Sequence, residues 1–247
     1  KVGPVSALRS LERSTHDLRP MHPNDSGPIY QETLMGRLPV EPWNTWSNLL
    51  FLLIVLYWSA CVYPQWRKHL FLAAALPVLF VGFVGGTVYH GTRSHEIWLV
   101  MDWLPIVLLC GACSVLFARR SGMSWVGAVL LFFSPFIVRG LLALSGATPT
   151  VVMNLGYAAM GVAVLWPIVL HLRATAWRNL GLMLLATCCF GLAVLFRSID
   201  GLVGVHPLPM GTHWLWHALG ALAVHFLMAY IHRDDRARIK GGRSAVS

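Results

Sequence analysis

Charge is what this sequence has least of. Only 12% of its residues are Asp, Glu, Lys or Arg, against 56% hydrophobic, where soluble domains carry about 25% charged residues. That balance excludes an ordinary soluble domain and leaves an integral membrane protein, read as one domain. Lysine is rarer still: Lys1, Lys68 and Lys240 are the whole set. None lies inside an apolar run, which argues against a retinal Schiff base. The five cysteines, Cys61, Cys110, Cys113, Cys188 and Cys189, lie in or beside apolar runs. They follow no disulfide or zinc-knuckle spacing and read as small packing residues. No period of about 20–50 residues recurs, which argues against a solenoid. No signal-peptide pattern is visible at the start. The formal charge of +9 comes from Arg and Lys at the ends of apolar runs and in the tails. Membrane orientation explains that placement better than nucleic-acid binding does, and no nucleic-acid partner is expected.

What the sequence does have is long apolar runs. Seven are near the roughly 20 residues that carry a helix across a bilayer. They lie at about 45–63, 69–90, 97–118, 123–145, 150–171, 176–197 and 210–232. The expected fold is therefore all-α, an integral membrane bundle of seven transmembrane helices. It divides into a polar N-terminal tail (1–40), the helix domain (41–232) and a basic tail (233–247). Arg67, Lys68, Arg119, Arg120, Arg173, Arg178 and the basic tail fall on one side of the membrane. The positive-inside rule then predicts an outside N-terminus and a cytoplasmic C-terminus.

The polar residues near the runs are not scattered. His213 and His217 stand four apart near the start of the last run, one turn apart on one helix face. His90 ends the second run, and Asp102 lies about two turns into the third. The topology puts all four on the outer side at similar depth, with Glu41, Asn44 and Asp200 on that side too. Ionisable residues at membrane depth are costly and usually functional. Three imidazoles with one open coordination position form a typical catalytic zinc set. Asp102 then reads as the group that handles the proton of a water there, as a partner of a zinc histidine, or as half of an ion pair with Arg93 or Arg197. His225 reads as a packed core residue, too far along the helix from His217 to share the metal. Arg139 and Arg197 read as cavity-facing residues, with Arg139 a candidate anchor for a polar lipid head group.

Four stretches carry a family resemblance: Glu41-Pro-Trp-Asn-Thr-Trp-Ser-Asn48, Gly85 to Asp102, Arg197-Ser-Ile-Asp200 and Gly211-Thr-His-Trp-Leu-Trp-His217. Together they span nearly the whole chain. In them the sequence resembles the membrane-hydrolase superfamily that holds alkaline ceramidases and adiponectin-receptor-like proteins, with the ceramidase branch favoured. The resemblance implies seven helices, zinc on His90, His213 and His217, and hydrolysis of a lipid amide drawn from the bilayer. It also implies calcium near the first span, where Glu41 and Glu32 match and Ile29 stands in place of an expected Asp. A second departure is Gly86, where the family has a Ser that helps hold the oxyanion. The adjacent Thr87 is the candidate substitute, and Gly86→Ser is expected to raise activity. Two other readings compete: a lipid-binding or receptor-like protein of the same fold with structural zinc, favoured by Gly86, and a haem-binding cytochrome, disfavoured by the His-x3-His spacing on one helix.

Overall fold

The computed structural model describes residues 23–200 and 208–244. Most of the N-terminal tail, part of the last loop before His213 and the final three residues lie outside that range. The described chain is helical, with no strand. A short helix α1 (Pro42–Ser47) leads into α2 (Leu49–Val62), and a 3₁₀ turn (Tyr63–Lys68) leads to α3 (Leu70–Thr92). Then come α4 (Glu96–Arg120), α5 (Trp125–Leu144), α6 (Pro149–Ala174), α7 (Leu180–Asp200) and α8 (His213–Ser244). Six stretches are long and apolar enough to cross a membrane: α1 through the 3₁₀ turn, then α3, α4, α5, α7 and most of α8. In α6 the described apolar stretch is shorter, Ala159–Ala174. The chain is a multi-pass membrane protein.

The helices begin where the sequence supplies caps. Ser124 Oγ accepts from the Gly127 N–H at 3.1 Å at the start of α5, and His95 accepts from the Ile97 N–H at 3.1 Å at the start of α4. These satisfy N–H groups that a helix start leaves unpaired. Glycine sets one contact that matters for the site. A Cβ on Gly85 would lie 2.5 Å from the Met101 carbonyl carbon, so only glycine lets α3 and α4 approach this closely. That approach places Gly86 of α3 against Asp102 of α4.

The apolar core, with Trp58, Leu72, Leu76, Phe117, Met228 and Ile231, lies at the end of the bundle away from His90 and His213. Below it sits a charged network. Asp234 bonds Arg120 at 2.8 Å, Arg178 at 2.9 Å and Arg238 at 3.0 Å, and Asp235 bonds Arg120 and, at 2.9 Å, His69. Both aspartates are buried. The segment from 233, read from its charges as a tail, therefore continues α8 through Ser244, because its carboxylates are partners for arginines on other elements.

Candidate metal centre

Two helix ends bring the histidines together. His90 is in the last turn of α3, and His213 and His217 open α8. All three are buried, and one nitrogen of each lies within 4.8 Å of the others. The local sequence fixes α8 here. Asp200, at the end of α7, accepts from the Thr212 N–H at 2.5 Å and the His213 N–H at 3.1 Å. A carboxylate at that position satisfies the helix start and favours its positive end. Gly211, with φ +77°, makes the turn into it, and a side chain there would strike Asp200.

The hydrogen bonds settle which nitrogens are free. His217 Nδ1 lies 3.0 Å from the Asn44 carbonyl and 2.8 Å from Ser47 Oγ. A carbonyl only accepts, so the ring proton sits on Nδ1. His90 Nδ1 lies 2.5 Å from Glu41 Oε2, which places its proton in the same way. That leaves His90 Nε2 and His217 Nε2 as buried acceptors without a partner among the described residues, and both nitrogens of His213 lack one there too. A buried polar atom without a partner costs about 1–3 kcal/mol, and here such atoms on three rings converge on one point. A metal ion takes imidazole nitrogens at about 2.0–2.1 Å. The donor set therefore fits one metal ion, with both Nδ1 positions held as bound histidines usually are.

A segment ahead of α2 covers this centre. Tyr30 is buried and stacks on His213 with ring centroids 3.8 Å apart. Burial pushes its phenol pKa up. Glu41 Oε1 accepts from Thr33 Oγ1 at 2.6 Å and from Arg93 Nη1 at 2.6 Å. Burial raises the Glu41 carboxyl, but its bonds to His90, Thr33 and Arg93 outweigh that and hold it below the usual carboxylate range. Glu32 accepts from the N–H groups of Trp43 at 2.9 Å and Asn44 at 2.7 Å, capping α1. Burial raises its carboxyl against those two bonds. Both carboxylates implied as calcium ligands are thus spent on protein donors. Calcium prefers about six to eight oxygens, and Glu41 has a guanidinium against it instead. The expectation of calcium at Glu32 and Glu41 finds no support in these contacts.

On its other side the centre opens into an apolar cavity of about 210 Å³. Asn48, Asp102 and His217 give the cavity a polar end. The rest of the lining is apolar apart from scattered Ser114 and Thr187, and reaches Phe117 and Ile231 near the charged network. Asp102 makes no ion pair with Arg93 or Arg197, since Arg93 is bound to Asp25 and Glu41. Gly86 faces Asp102 directly: a Cβ there would lie 2.5 Å from Asp102 Oδ1 and 3.0 Å from Asn48 Oδ1. The Thr87 hydroxyl is buried with no partner among the described residues, and Thr87 is not part of the cavity lining.

Of the two arginines read as cavity-facing, neither is a lining residue. Arg139 is exposed, outside the cavity lining. Arg197 is also exposed, and its guanidinium lies 5.1 Å from the Trp216 ring, itself a lining residue. His225 sits among the rings of Tyr57 and Trp58, as a packed histidine. Sequence reasoning missed Tyr30, Ser47 and the roles of Asp25 and Arg93. Ser47 lies in the Glu41 to Asn48 motif and Arg93 in the Gly85 to Asp102 stretch, while no motif pointed to Tyr30 or Asp25. Compared with known proteins, the chain matches no family model and no curated sequence.

Proposed function

We propose that this chain is a zinc-dependent intramembrane hydrolase of lipid amides, ceramidase-like, crossing the membrane seven times with its histidine end outside. The observation that carries this reading is the set of buried imidazole nitrogens, without partners among the described residues, at the polar end of an apolar cavity. The seventh span would be α6, whose 26 residues extend about 39 Å at 1.5 Å per residue. His90, His213 and His217 would hold the zinc. When bound there, zinc would acidify water toward neutrality and polarise a carbonyl.

The chain's own residues do the rest. Asp102 takes a proton from the attacking water and delivers it to the amine nitrogen as the C–N bond breaks. The products are a fatty acid and an amine. Glu41, Asn44 and Ser47 hold the imidazoles, and Tyr30 shields the centre from the aqueous side. Calcium has no part in this reading. Along α8 the lining runs from His217 to Ile231, about 21 Å by helical rise. One extended hydrocarbon chain of about 16 carbons fits that length, taking bonds of about 1.5 Å at tetrahedral angles.

The bilayer supplies such a chain from the side. Among the described residues α6 and α7 scarcely touch, and the lining residues Leu165 of α6 and Phe190 of α7 are 47% and 43% exposed. A photoreactive N-acyl lipid is therefore expected to label residues 164–168 and 183–190, read by peptide mass spectrometry, and long-chain lipids are expected to copurify. Labelling confined to the outer face of α5 would contradict entry between α6 and α7. A receptor-like protein with structural zinc is the second reading. Gly86 favours it, because no hydroxyl stands there to steady an oxyanion.

A further inference from the structure

One continuous segment grips all three histidines. Tyr30 stacks on His213, Glu41 bonds His90, and Asn44 with Ser47 bonds His217. What holds Glu41 in place is Arg93, which the sequence offered only as an ion-pair partner for Asp102. Arg93 caps α3 with φ +47°, a conformation that non-glycine residues adopt rarely. It is completely buried. Its Nη1 bonds Glu41 Oε1 at 2.6 Å, while its Nε and Nη2 bond Asp25 at 2.9 and 2.6 Å. The backbone runs the same way: the Glu41 N–H donates to the His90 carbonyl at 3.0 Å. Glu41 is thus clamped between Arg93 on one oxygen and His90 Nδ1 on the other.

We propose that Arg93 is a positioning residue of the metal centre, acting through Glu41. The planar guanidinium fixes one carboxylate oxygen, which leaves the other in line with His90 Nδ1 and turns His90 Nε2 toward His213 and His217. The inference rests on the zinc reading above but does not depend on catalysis. Lysine, a point charge on a flexible stem, cannot reproduce a fork that serves two carboxylates at once. Asp25 provides the control. It holds the same guanidinium with two bonds yet does not touch His90, so losing it loosens the covering segment without releasing Glu41.

The test is zinc affinity by chelator competition, together with the visible spectrum of the Co(II)-loaded protein, on full-length protein in detergent. Loss of an outer partner of a metal-bound histidine typically costs about 10- to 100-fold in metal affinity. Glu41→Gln and Arg93→Met are each expected to weaken zinc within that range and to alter the Co(II) spectrum. The double variant is expected to be no weaker than the worse single, because the two act in series. Arg93→Lys should restore only part of the loss, and Asp25→Asn should weaken zinc clearly less than Glu41→Gln, because it leaves the Arg93–Glu41 bond in place. If Arg93→Met does not fold, Glu41→Gln against Asp25→Asn decides. Folded Glu41→Gln protein with wild-type affinity overturns the proposal, as does Asp25→Asn weakening zinc equally, which would make the role one of anchoring the segment. Zinc bound normally without amide hydrolysis would sink the functional reading and leave this one standing; wild-type protein that binds no zinc overturns both.

Discussion

Asp102→Asn is expected to lower lipid amide turnover by about 100- to 10,000-fold, the range of general acid–base catalysis, with helix content and metal content unchanged. Amide cleavage needs a group that takes a proton from water and returns it to the leaving nitrogen. Within the span assigned to α4, Asp102 is the carboxylate that faces the cavity, beside Asn48 and His217. Asparagine has nearly the same shape, so the packing against Gly86 survives. It has no carboxylate to take up the proton. The measurement is initial rate of fatty-acid release against zinc per protein. Loss of zinc along with activity would instead make Asp102 a support of the metal. The same geometry reverses the expectation for Gly86→Ser. The space a serine Cβ would enter lies 2.5 Å from Asp102 Oδ1 and 3.0 Å from Asn48 Oδ1. The substitution must displace the carboxylate, so activity should fall rather than rise, and a gain would show that a hydroxyl there matters more than where Asp102 sits.

His213→Ala combined with His217→Ala should abolish stoichiometric metal. The pair removes two of three nitrogen donors, and a single imidazole with water cannot hold zinc against a chelator. Because Nε2 of His90 has no partner among the described residues, the variant also leaves that atom stranded. Metal analysis of the purified protein reads the result. Zinc retained in both the double variant and wild type would place the metal elsewhere.

The parts of this account that the sequence made legible are those set by local pattern. Apolar runs of helical length located the long helices, since hydrocarbon demands internally satisfied backbone. The spacing of His213 and His217 and the polar level shared with His90 and Asp102 located the centre. What escaped was long-range pairing of charge. Arg93 meets Asp25 across 68 positions, and Arg120 meets Asp234 across 114; no local period announces either. For the same reason Asp234 and Asp235 read as tail residues although they end up buried under the core. Glu32 and Glu41 read as ligands for a cation, and for Glu41 the cation turned out to belong to the chain itself. Arg139 and Arg197 were assigned inward on insertion cost, yet Arg139 sits near the end of α5 and Arg197 rests on Trp216, where long side chains reach the interface.

A metal held by His90, His213 and His217 is expected to serve amide hydrolysis inside the membrane. The most direct test is to incubate purified, zinc-replete protein with a panel of ceramides and other N-acyl lipids and to quantify both products by mass spectrometry. Wild type is expected to release fatty acid and amine in equal amounts, with a preference for a single chain of about 16 carbons, and Asp102→Asn no more than background. Full zinc occupancy with no release from any lipid in the panel would contradict that expectation.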